Sequence, residues 1–82
     1  MNELWNDSDF SYEPEIFNVL KQRIWNTMDV NIPYSSDVLG LILGIDNGRK
    51  IFLLSALIEL VNDKKLYWCK NRSFFQKNII KN

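Results

Sequence analysis

The chain has no histidine and a single cysteine, Cys69. Without imidazole there is neither a Cys/His zinc site nor the commonest general base, and one thiol cannot close an internal disulfide. Carboxylates such as Asp29, Asp37 and Glu59 are spread along the chain without metal-ligand spacing, and Cys69 lies in an aromatic run with no residue to activate it. The sequence therefore points away from an enzyme and calls for no catalytic residue, metal or cofactor. Long apolar runs are also lacking: the longest, Val38 to Ile45, falls well short of the ~20 residues that cross a bilayer. The first ten residues, MNELWNDSDF, have no basic stretch followed by an apolar one, so no secretory signal is expected. The expectation is a cytoplasmic protein with a reduced thiol, no membrane partner and no small-molecule substrate.

Proline is scarce too, and its two copies, Pro14 and Pro33, fall where the chain changes character. What is abundant is apolar and aromatic: 46% and 13% of 82 residues. That is enough for a packed core and too much for a disordered tail. A chain this short buries only a little over ~60% of the surface its unfolded form exposes, so one domain with a thin stability margin is expected. Formal net charge is zero, but residues 1 to 15 carry −5 with no basic residue, and residues 64 to 82 carry +6 with no acidic one.

Residues 1 to 13 alternate acids with Trp5, Phe10 and Tyr12, and read as an acidic, aromatic N-terminal arm ahead of a domain spanning 14 to 80. From Pro14, apolar residues Ile16, Phe17, Val19, Leu20, Ile24 and Met28 recur at helical spacing and predict a first helix over about 14 to 28. Pro14 suits its first position, where the missing N–H would have had no partner. Asn31 to Tyr34 should be extended, because Pro33 pushes its predecessor out of the helical region. Ser35 or Ser36 can cap a second helix that carries Asp37 in its first turn and stops at Gly44. Asp46 or Asn47 can cap a third helix, about 48 to 63, with Ile51, Leu54, Leu57, Ile58 and Val61 as its inward stripe. Leu66 to Cys69 and Ser73 to Lys77 then read as a β-hairpin.

Two stretches sharpen the fold class. Leu39-Gly40-Leu41-Ile42-Leu43-Gly44-Ile45 resembles the Leu-small-x-x-Leu-Gly-Ile signature of helix-turn-helix motifs, and Val61-Asn62-Asp63-Lys64-Lys65-Leu66-Tyr67-Trp68 is similar to the passage from recognition helix to wing in winged-helix regulators. The resemblance implies a winged helix-turn-helix domain, mainly α with a small β-hairpin. Two features depart from it. The stretch from Gly44 to Leu66 is about one helical turn longer than usual, and Lys65 stands where a glycine is typical.

If the stripe above faces inward, Phe52, Leu53, Ala56 and Glu59 lie on the outer side of the third helix with Arg49, Ser55 and Asp63. Base readout wants polar side chains there, whereas Phe52 and Leu53 match only a thymine methyl. These residues are therefore either an interface with another chain or a part of the core that the arm covers. With Trp5, Phe10 and Tyr12 of the arm, Phe52, Leu53, Ala56 and Glu59 form the candidate protein interface. Arg49, Lys50, Lys64, Lys65, Lys70, Arg72 and Lys77 are the candidate nucleic-acid contacts. The expected function is a small non-catalytic regulator or adaptor that binds another protein or a second copy of itself as a homodimer. Chains of this kind suit the accessory regulators of phages and mobile elements. The alternative is a winged-helix transcription regulator contacting double-stranded DNA with its third helix and basic wing.

Overall fold

The computed structural model describes residues 10–69 and 73–78. Three helices, α1 (Pro14–Thr27), α2 (Ser36–Leu43) and α3 (Lys50–Asn62), are followed by strands β1 (Leu66–Cys69) and β2 (Phe74–Lys77), which pair antiparallel. The protein is thus mainly helical with a small hairpin.

The element boundaries follow from local chemistry. Pro14 opens α1, whose first backbone bond runs from Phe17 N–H to the Glu13 carbonyl at 2.8 Å. The helix ends where Met28 turns extended, and three residues on Asn31 takes a left-handed φ of 67°, a conformation asparagine tolerates better than most residues. The Ser35 hydroxyl accepts from Val38 N–H at 3.1 Å and caps α2. Gly44 closes that helix in the left-handed region at φ 73°, and Ile45 N–H then reaches the Gly40 carbonyl at 2.9 Å. Without the glycine this reversal would strain an L-residue. Asp46 caps the short tight turn Asn47–Arg49 that leads into α3.

The core is built by Phe17, Leu20 and Ile24 of α1 and Met28 just after it, Leu39 of α2, Leu53, Ala56, Leu57 and Leu60 of α3, and Leu66 and Phe75 of the hairpin, closed by Tyr34 and Ile45. Tyr34 and Phe75 exchange backbone bonds at 2.9 and 2.8 Å, so the extended segment after α1 lies beside β2 as an isolated antiparallel bridge. The Tyr34 hydroxyl in turn accepts from Asp29 N–H at 3.0 Å. In the hairpin Leu66 is buried, while Trp68 is partly exposed and packs on its cross-strand partner Phe75 at 4.4 Å between ring centroids.

One prediction is overturned inside α3. Its inward face is Leu53, Ala56, Leu57 and Leu60, and Ile51, Leu54 and Ile58 point to solvent. Relative to the predicted 54, 57, 58, 61 pattern, the core stripe is displaced by one residue, a rotation of roughly 100°. Both sets satisfy i, i+3, i+4, i+7, because the helix is apolar nearly all the way round. The partners decide between them. On one flank of α3, Glu59 and Asp63 reach Lys21 of α1 at 3.0 and 3.8 Å. On another, Lys50 pairs with Asp37 of α2. The observed rotation brings both sets of charges to their partners. It also turns Ala56, the small residue of the run, fully inward.

Candidate protein-binding face

The rotation of α3 redraws the expected interface. Leu53 and Ala56, placed outside by the sequence pattern, are completely buried, so neither belongs to a free outer face. Phe52 is half-buried beneath the described part of the arm. Tyr12 stacks on it at 4.7 Å, Phe10 meets it tilted at 5.8 Å, and Tyr12 also touches Phe17 at 5.6 Å. Arg49 lies over the Phe10 ring at 4.9 Å, and the Tyr12 hydroxyl is 3.5 Å from the Ser55 hydroxyl. Residues 10 to 12 therefore cover Phe52, one of the two readings its apolar character allowed. Trp5 lies outside the described residues.

The charged candidates are dispersed. Arg49 pairs with Asp46 at 3.2 Å, Lys50 with Asp37, and Glu59 with Lys21. Lys64 and Lys65 sit in the turn between α3 and β1, where Lys64 takes a left-handed φ of 66°. Lys77, at the end of β2, lies over the Trp25 ring of α1 at 4.3 Å. Lys70 and Arg72 lie outside the described residues. Arg49 and Lys50 are thus brought together at the start of α3, each beside an acid. Lys64, Lys65 and Lys77 gather at the base of the hairpin.

What the sequence pattern missed is an apolar surface on two helices. On α3 it consists of Ile51, Leu54 and Ile58. On α2 it consists of Val38, Leu41 and Ile42, of which Leu41 is 83% exposed. The only signal for it was excess: residues 38 to 45 and 51 to 61 carry more apolar positions than one face of a helix can bury. Leu41 stands at the rim of an open depression of about 290 Å³ between α2 and the start of α3, lined also by Asp37, Gly40, Ile45, Asn47 and Lys50. Gly40 faces α3 here: a Cβ added to it would lie 3.5 Å from the Leu53 side chain, in ordinary contact.

A second depression, about 390 Å³, lies between α1 and the base of the hairpin and is lined by Lys21, Trp25, Asp63 and Lys65 among others. Its chemistry is internally satisfied, since Lys21 is held by acids and Lys77 lies over Trp25. Among the described residues no buried polar side-chain atom lacks a partner, no acidic, cysteine or histidine group forms a metal-holding cluster, and no helix is long and apolar enough to cross a membrane. What distinguishes the molecule is its exposed apolar face. No family model, curated protein or solved structure matches the chain.

Proposed function

We propose that the chain is a small, non-catalytic regulatory or adaptor protein that acts by binding another macromolecule, chiefly protein, through the outward faces of α3 and α2. One observation carries the reading: six aliphatic residues, Val38, Leu41, Ile42, Ile51, Leu54 and Ile58, are exposed on two helices whose other faces already fill the core. A helix that is apolar all round is normally covered all round, and a concentrated apolar surface on a small chain marks a partner site. The scaffold reads as a winged helix-turn-helix. Its element order, the left-handed Gly44 after α2 and the Tyr34–Phe75 bridge beside the hairpin support that. In this reading the arm's Phe10 and Tyr12 complete the surface of α3 over Phe52, and the partner meets the neighbouring aliphatic stripe.

DNA readout is the weaker alternative. Arg49 and Lys50 are each held by an acid, and the outward stripe of α3 offers base edges little beyond contact with a thymine methyl. The two readings separate if a photo-crosslinking residue, benzoylphenylalanine, replaces Leu54 and is activated in cells of the native host. The expected product is a light-dependent adduct to protein that weakens when Leu41→Asp is added. Adducts to nucleic acid alone would move the assignment to the alternative, and no adduct of either kind would remove the face as a functional site.

A further inference from the structure

We infer that the occupant of this face is a second copy of the same chain, arranged about a twofold axis so that Leu41 of each copy seats in the α2/α3 depression of the other. The inference rests on the protein-binding reading above and names its partner. A symmetric dimer needs a surface complementary to itself, with projection and recess side by side on one patch. Leu41 supplies the projection, because it is 83% exposed on the outer side of α2. The recess begins at its own foot. It measures about 290 Å³ and has Gly40 and the buried Ile45 among its walls.

The charges of the patch allow the same occupant. Asp37 and Lys50, the charged residues lining the recess, pair with each other across it. The patch thus shows no excess of either sign with which to select an oppositely charged partner, and none to repel its own copy. Val38 and Ile42 on α2 and Leu54 on α3, one turn on from Lys50, are further exposed aliphatic residues of the same two helices. Six aliphatic side chains make a small interface by the standard of ~800 Å² per partner. The dimer should accordingly be reversible, with a Kd in the micromolar range.

Sedimentation equilibrium of the purified full chain, loaded from ~1 to ~500 µM around that range, tests this. The wild type should pass from monomer to dimer across the series. Leu41→Asp should weaken dimerisation at least ~10-fold, since it removes the aliphatic side chain that fills the recess and puts a carboxylate that must be desolvated in its place. Val19→Asp puts the same charge at an exposed aliphatic position on α1 and should leave the dimer unchanged. Both positions are solvent-exposed, so the variants should fold, which circular dichroism checks. A wild type monomeric throughout, or a Leu41→Asp chain that dimerises as well as wild type, overturns the inference, as does equal loss in both variants. If it is overturned while the Leu54 probe still captures another protein, the protein-binding reading stands with a different partner. If the probe captures nothing, both fall.

Discussion

Lys64 holds a left-handed backbone, φ 66°, at the point where α3 gives way to β1. The reversal it makes is closed by Lys65 N–H on the Leu60 carbonyl at 2.9 Å, and the Lys64 carbonyl accepts from the Asn78 side chain at 2.9 Å. A residue with a Cβ in this conformation costs ~1–2 kcal/mol. Lys64→Gly should relieve much of that, less the entropy glycine adds to the unfolded chain, for a net gain of about 1 kcal/mol. For a domain of this size the melting temperature should rise by ~4–8 °C, read by calorimetry at fixed protein concentration because self-association also shifts it. An unchanged or lowered value would mean that the turn carries no strain. The winged-helix resemblance puts its typical glycine at Lys65, one residue after the left-handed position. The backbone needs its left-handed residue directly after the helix's terminal Asp63, and side-chain pattern does not register that.

At the scale of the element, α3 shows how an apolar pattern loses its information. Where nearly every position is apolar, i, i+3, i+4, i+7 is satisfied in more than one register, and the inward face is selected by what α3 meets: Lys21 and Asp37 through its charges, Gly40 through Leu53, and Phe10 and Tyr12 through Phe52. The consequence is measurable with two adjacent leucines. Leu53 is fully buried and Leu54 is 38% exposed. Leu53→Ala should cost ~2–5 kcal/mol of unfolding free energy through lost burial and the cavity left behind. Leu54→Ala should cost below about 1 kcal/mol in the monomer. Urea denaturation at low protein concentration compares them directly, and a reversed order would restore the register first read from periodicity. By contrast α1, with polar residues interrupting its apolar ones, was largely legible in advance: Phe17, Leu20, Ile24 and, just past its end, Met28 face the core as expected, while Ile16 is only partly buried and Val19 half-exposed.

On the scale of the whole molecule, charge and core size constrain partners together. Ten basic residues balance ten acidic ones, and those near the start of α3 are engaged within the chain. Counterion release, the main source of non-specific DNA affinity, therefore has few unengaged cations to draw on in this part of the surface. A salt titration with mixed-sequence duplex DNA should show weak binding at low ionic strength that disappears at physiological salt. Tight binding with a steep salt slope, made shallower by Lys64→Ala and Lys77→Ala, would instead favour the DNA-binding alternative. A small core points the same way as the exposed face: a domain that buries so limited a fraction of its surface gains a large relative benefit from covering its remaining aliphatic residues with a partner.

The sequence by itself determined the elements and much of their punctuation. Pro14 and Gly44 act through local backbone chemistry, which neighbours in sequence are sufficient to set, while the choice of Ser35 over Ser36 and of Asp46 over Asn47 as caps came with the structure. The sequence also indicated the hairpin, whose Leu66 and Phe75 join the core as an alternating strand requires. Only the tertiary structure decided which side of α3 is interior, that Phe52 is covered by the arm while Ile51, Leu54 and Ile58 are left outside, and that α2 adds Leu41 to the same kind of surface. The physical reason is that periodicity distinguishes an apolar face from a polar one, and cannot distinguish two apolar faces of one helix. The packing of residues far apart in the chain makes that choice.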